Sequence, residues 1–193
     1  MKSPFAWLYD KVLLWSVHPK APWFLAGVSF SESSFFPVPP DVMLAPMTLA
    51  QPNRWVRLAL ITTLASVAGG ILGYLIGAFS IDQIKPVLES HGYMDKFEKA
   101  EDWFATYGFW AVFIAGFSPI PYKVFTIAAG ATGMLFPVFV AASAVGRGAR
   151  FFLVAGLVRL GGAPFEARIR QHINVLGVLA IVAVVALVLL LKH

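Results

Sequence analysis

The stretch FFPVPPDV, Phe35 to Val42, decides the reading of this chain, because FSPIPYKV, Phe117 to Val124, repeats its pattern 82 residues later. Proline has no backbone N–H and biases the residue before it away from the helical region. A helix leading into Pro37, Pro39 and Pro40, or into Pro119 and Pro121, therefore has to break. Each break falls inside an apolar run, and the two differ in charge: Asp41 follows the first, Lys123 the second. The pattern predicts a membrane protein built from two related halves, with a charged site where they meet.

Moving outward from the first break, residues 22–36 are mostly apolar, yet 15 residues of helix rise only about 22 Å, short of a hydrocarbon core of roughly 30 Å. Residues 42–50 form a second short apolar piece, ended by Gln51, Pro52, Asn53 and Arg54. The pair is expected to be a re-entrant hairpin, whose non-helical tip must be buried in protein or line a cavity. Residues 55–79 are long enough to cross, and Gly69, Gly73 and Gly77 on one face predict a close helix approach. Residues 80–102 are hydrophilic and are expected in water or at the interface. The order then recurs: an apolar half from Trp103 to Ser118, the second break, an apolar half to Phe136, and a crossing from Pro137 to about Leu160.

These readings divide the chain into an interfacial helix at 1–20, repeat one at 22–79, a polar connector at 80–102, repeat two at 103–160, an amphipathic connector at 164–172 and a transmembrane helix at 173–191. The expected fold class is all-α, a single polytopic membrane domain. A hairpin plus one crossing is an odd number of crossings, so the second repeat starts from the opposite side and the repeats are inverted. Lys2, Lys11, Lys20, Arg54, Arg57, Arg159, Arg168 and Arg170 then share one side, which the positive-inside rule places in the cytoplasm with the N-terminus. Inverted repeats with broken helices are an architecture of secondary transporters.

Composition agrees with a membrane location: 59% of the 193 residues are hydrophobic and 13% charged. The net charge of +5 flanks apolar segments without forming a basic face, so nucleic acid is not an expected partner. The absence of cysteine excludes disulfides, thiolate metal sites and thiol nucleophiles. The four histidines lack metal-ligand spacing, so no metal or other cofactor is expected. No catalytic motif is present, which argues against an enzyme. Asp10 and Lys11 interrupt the first apolar stretch and argue against a cleavable signal peptide.

Five ionisable residues lie inside apolar segments: Glu32, Asp41, Lys123, Arg147 and Arg150. A charge at the bilayer centre costs at least about 2.5 kcal/mol, so each is expected to have a partner and a use. Glu32 precedes the first break on the entering limb and is the candidate proton carrier. Asp41 has two readings, proton or substrate work and the cap of the next half-helix. Lys123 occupies the corresponding place in the other hairpin, where an ion pair with Asp41 is the simplest arrangement. Arg147 and Arg150 are three apart and share one helix face. With Lys123 they could bind a phosphate, or they could simply neutralise Glu32 and Asp41.

At the breaks the sequence resembles the DedA superfamily of membrane proteins, most closely its small YqaA-like branch. The resemblance rests on Glu32, Pro37, Pro39 and Asp41 in SESSFFPVPPD, on Ser118 to Val124 in SPIPYKV, and on Arg147 and Arg150 in GRGARFF. It implies two facing re-entrant hairpins in a bacterial inner membrane protein, translocation of phospholipid or polyprenyl-phosphate lipids, and dependence on the proton-motive force. The family's acidic pair falls on Glu32 and Asp41. Typical members carry arginine in the second hairpin, where this chain has Phe117, Ser118 and Lys123. The expected function is a lipid translocase or scramblase, with membrane lipids bearing anionic headgroups, and protons, as partners; a homo-oligomer is compatible with the sequence. The alternatives are a proton-coupled transporter of a small soluble ion or solute and a non-transporting scaffold.

Overall fold

The computed structural model describes residues 16, 18–34, 39–90, 92, 94–118 and 121–162. Among the described residues six α-helices are complete enough to name: α1 Ala21–Ser34, α2 Asp41–Ala50, α3 Trp55–Ser90, α4 Met94–Phe117, α5 Tyr122–Ala131 and α6 Phe136–Gly162. A short 3-10 turn, Pro52–Arg54, links α2 to α3, and there are no strands among the described residues. Two helical stretches, Pro52–Gln83 and Phe136–Gly162, are long and apolar enough to cross a membrane. The expected interfacial helix apart from its last residues, Pro37, Pro119, the connector 164–172 and the C-terminal span 173–191 lie outside the described residues.

The described helices flank the two proline-rich stretches. α1 stops at Ser34 and α4 at Phe117, while Pro40 and Pro121 stand immediately before α2 and α5. Within α2 the carbonyls of Pro39 and Pro40 already accept the N–H groups of Val42 and Leu44, so the helix restarts directly after the prolines. α5 ends on Gly133, whose φ of 66° carries the chain out of the helix. Gly133 N–H then bonds the Gly130 carbonyl and Met134 N–H the Ala129 carbonyl, the paired closure of a Schellman motif.

The polar segment 80–102 is largely helical: α3 runs on to Ser90 through Pro86, and α4 begins at Met94. The chain reverses around Gly92, at φ 70°. A 36-residue helix is about 54 Å long, so α3 outreaches a bilayer core. Its charged end is exposed at Asp82 and Glu89, since loss of apolar character sets where a helix leaves lipid but does not set where it ends.

Close packing at glycine holds the helices together, as the small-residue face predicts. A Cβ at Gly69 would lie 2.1 Å from the Phe30 carbonyl oxygen of α1. Further along, a Cβ at Gly77 would lie 2.0 Å from the Ile127 carbonyl of α5, and one at Gly130 1.9 Å from the Tyr74 carbonyl. Hydroxyls reinforce the α1–α3 seam: Ser29 Oγ donates to the Thr62 carbonyl at 2.7 Å and Ser34 Oγ to the Gly69 carbonyl at 3.0 Å. Where lipid supplies no net hydrophobic drive between helices, backbone proximity and such bonds are the main adhesive.

The buried apolar residues fall into two clusters. Ala21 and Leu25 of α1, Leu44 and Met47 of α2, Leu58 and Ala59 of α3 and Phe151 and Ala155 of α6 form one. Val112 and Ala115 of α4, Tyr122 and Ala129 of α5 and Phe139 and Ala142 of α6 form the other, packed against Ile71 and Tyr74 of α3. Each cluster thus joins three consecutive helices to the long helix of the other set. The outward faces of the long helices stay apolar, with Leu64 and Leu157 exposed by 67% and 59%.

Candidate functional site

α3 and α6 run antiparallel. Arg159, late in α6, lies over the ring of Trp55 at the start of α3, while Tyr74 in α3 packs on Phe136 and Phe139 at the start of α6. Gln51, after α2, donates to the Ser16 carbonyl ahead of α1 at 2.7 Å, and Arg54 donates to Gln51 Oε1. α1 and α2 therefore leave and return to the end of the molecule at Trp55. At the opposite end the Tyr74 hydroxyl donates to the Met134 carbonyl, and Met134 packs beside Gly108 of α4. α4 and α5 thus open towards that end.

Four of the ionisable residues, Glu32, Asp41, Arg147 and Arg150, pair where α1 and α2 meet α6. Arg147 is 2% exposed, and its Nη2 is ion-paired with Glu32 Oε2 at the end of α1. Its Nε donates to Ser66 Oγ of α3 at 2.5 Å. Ser66 Oγ is 2.7 Å from Ser33 Oγ, and Ser33 also donates to Glu32 Oε2 at 3.2 Å. The guanidinium lies between two aromatic faces, 4.9 Å from the ring centre of Tyr122 and 4.7 Å from that of Phe151. This placement adds cation–π attraction, which strengthens on desolvation.

One turn further along α6, Arg150 reaches both breaks. Its Nη2 is 2.5 Å from Asp41 Oδ2, at the first residue of α2, and its Nη1 donates to the Ser118 carbonyl just after α4 at 2.6 Å. This pair is more open than the first, with side chains 19% and 23% exposed. The N-cap position of α2 is Pro40, and Asp41 is the first residue of the helix. It remains in the first turn of α2, where the helix dipole favours a carboxylate, and its Oδ1 is buried without a hydrogen-bond partner.

Of the other residues read from sequence, Lys123 is half-buried in the first turn of α5, and its carbonyl accepts the Thr126 hydroxyl at 2.9 Å. Pro39 and Pro121 flank the breaks, with carbonyls that accept from Val42 and Val124. Arg147 is paired with Glu32 and Arg150 with Asp41. What the sequence reading missed is the neutral lining: Ser66, Tyr122, Ser143 and Phe151. The signal for Tyr122 was its position directly before Lys123 in the break. A surface concavity of about 310 Å³ lies elsewhere, lined by Phe104, Gly108, Met134 and Val138 and by none of the five ionisable residues.

A family model described as the VTT domain matches residues 38–160, which takes in Asp41, Lys123, Arg147 and Arg150. An uncharacterized protein of Haemophilus influenzae is 47% identical over 173 residues, covering 90% of this chain and 90% of that protein. A second, from Histophilus somni, is 42% identical over 188 residues, covering 97% and 98%. A protein named undecaprenyl phosphate transporter A, from Staphylococcus aureus, is 36% identical over 95 residues, covering 46% of this chain and 47% of that one. No solved structure matches. The VTT match spans more than half of the sequence, and the chain belongs to that family, the DedA family of membrane proteins.

Proposed function

We propose that this protein is a membrane transporter that moves lipids with anionic, phosphate-bearing headgroups between leaflets, with protons competing for the same charges. The observation that carries this reading is the pair of arginines on one face of α6, each neutralised by a carboxylate from the flank of the first break. Protonating Glu32 or Asp41 removes its hold on an arginine, and that arginine can then take a phosphate through parallel hydrogen bonds. Deprotonation restores the internal pair and expels the anion. The proton-motive force enters through this exchange. The partial likeness to the transporter of Staphylococcus aureus supports a phosphate-bearing lipid as cargo.

The architecture proposed with it is an inverted repeat of re-entrant hairpins, α1–α2 with α3 and α4–α5 with α6. It is supported by the 82-residue register, the two matching apolar clusters and the separate levels of α3 at which the helix pairs close, α1–α2 at Trp55 and α4–α5 beside Tyr74 about halfway along it. Lys123 then joins Arg147 and Arg150 as a cation at the tips. Arg54, Arg57 and Arg159 gather at the Trp55 end, which the positive-inside rule assigns to the cytoplasm of a bacterial inner membrane.

The same closed pairs are what a purely structural network would contain, and a transport assay separates the two readings. Purified protein in liposomes, with a leaflet-resolved assay of labelled phospholipid, should move lipid faster than empty liposomes and respond to a pH gradient. Glu32→Gln should lower the rate at least about tenfold. Lipid movement no faster than in empty liposomes, under every gradient tested, would reject transport.

A further inference from the structure

Each arginine of α6 divides its donors between a carboxylate and a neutral oxygen from another part of the chain. Arg147 gives Nη2 to Glu32 Oε2 of α1 and Nε to Ser66 Oγ of α3. Arg150 gives Nη2 to Asp41 Oδ2 of α2 and Nη1 to the Ser118 carbonyl after α4. Nε and Nη2 form one edge of a guanidinium, and a carboxylate commonly takes such an edge with both oxygens through two parallel bonds. At Arg147 Ser66 fills half of that edge, so the carboxylate of Glu32 is held through Oε2 alone.

The hydrogens of two serines fix this arrangement. A hydroxyl has one hydrogen to give. Ser33 gives its own to Glu32 Oε2 at 3.2 Å, so in the 2.7 Å contact between Ser33 and Ser66 the donor is Ser66. Ser66 therefore meets Nε with a lone pair, and the bonds close a ring from Arg147 through Ser66 and Ser33 to Glu32 and back to Nη2. Both serines are fully buried, which shields the ring from solvent.

We infer that Ser66 is a positioning residue that keeps the Glu32–Arg147 pair one-pronged, so that Glu32 can let go. With Ser66 on Nε, Glu32 leaves by giving up one guanidinium N–H, and the guanidinium stays in place against Ser66 and the rings of Tyr122 and Phe151. Without the Ser66 oxygen, Nε becomes a buried donor in need of an acceptor, and the second oxygen of Glu32 turns to it. The pair then closes through two parallel bonds and holds harder. The use given to this release, exchange of Glu32 for a phosphate-bearing headgroup, rests on the proposed function; the pairing does not.

The test separates pairing from transport. Glu32→Gln is introduced into the full chain with and without Ser66→Ala, and each protein is unfolded by denaturant in mixed micelles. The factor by which Glu32→Gln lowers the folding equilibrium constant should be about tenfold larger beside Ser66→Ala, the scale of one added hydrogen bond to a charged group. Ser66→Thr, which keeps the hydroxyl, should return that factor to its wild-type value. In liposomes Ser66→Ala should slow lipid movement about tenfold with every charged residue intact. If Ser66→Ala does not yield folded protein, Ser66→Cys, whose sulfur is a weak acceptor, gives the same comparison. An equal factor with and without the Ser66 hydroxyl overturns this inference. No lipid movement by the wild-type protein overturns the proposed function, and the unfolding comparison still decides the pairing.

Discussion

The two ion pairs differ in burial, and a pair of double-mutant cycles turns that difference into a measurement. Replacing Glu32 by Gln leaves the Arg147 guanidinium, 2% exposed, without its counter-charge. Breaking a buried pair from one side costs about 3–5 kcal/mol, because the remaining charge is stranded. Ser66 and the rings of Tyr122 and Phe151 still hold the guanidinium, which points to the lower end, about 3 kcal/mol. Arg147→Gln strands Glu32 in turn, and the double substitution removes both charges and should restore most of the loss. The coupling energy should be about 2–3 kcal/mol. The same cycle on Asp41 and Arg150, at 23% and 19% exposure, should give about 1 kcal/mol, since partial solvation screens the charges. Denaturant unfolding in mixed micelles, read by tryptophan fluorescence, measures both. A Glu32→Gln loss below about 1 kcal/mol, or equal coupling in the two cycles, refutes the argument that burial sets the strength of these pairs.

Two further outcomes follow from the geometry. The sequence has no cysteine, so single cysteines report sidedness cleanly: Lys20→Cys and Asn53→Cys should react with an impermeant maleimide from one face of the membrane, and Glu89→Cys and Leu135→Cys from the other. Reaction of Lys20→Cys and Asn53→Cys from opposite faces would show that α1 and α2 cross. Gly130→Ala places a methyl 1.9 Å from the Tyr74 carbonyl and forces α3 and α5 apart, so it should cost about 2 kcal/mol or more in the same unfolding assay, whereas Gly27→Ala, in open space, should cost nothing measurable.

Much of the fold was legible because its signals are local. Proline removes a donor wherever it stands, so the breaks before Asp41 and Tyr122 could be read residue by residue. Gly69, Gly73 and Gly77 announced a close approach by spacing alone, although spacing did not say that the first serves α1 and the last α5. The helical ends of α3 and α4 were hidden because hydropathy marks where lipid stops, and charged residues such as Glu89 and Glu98 are good helix formers outside it. At the site, sequence supplied the charges and the shared face of Arg147 and Arg150. It could not choose their partners: Glu32 is 115 residues from Arg147 and Asp41 is 109 from Arg150, separations that only packing resolves. The neutral lining was hidden for another reason, since Ser66, Ser143 and Tyr122 are unremarkable in an apolar helix until a guanidinium lies beside them.

The partners that were found explain why two arginines are placed three residues apart. α6 is a continuous helix through this region, so Arg147 and Arg150 move as one rigid unit. Arg147 ties that unit to the end of α1 and to Ser66 of α3, while Arg150 ties it to the start of α2 and to the Ser118 carbonyl after α4. The flanks of both breaks are therefore fastened to a single helix. Loss of the Asp41 contact would remove one tether of α2 and leave α1 joined to Arg147 through Glu32. Loss of the Glu32 contact leaves Arg147 between its two rings, and the α2 tether remains. In the proposed exchange, release at two separate points on one helix lets one limb of the α1–α2 pair yield while the other stays fastened. A single arginine bound to both carboxylates could only release the two together.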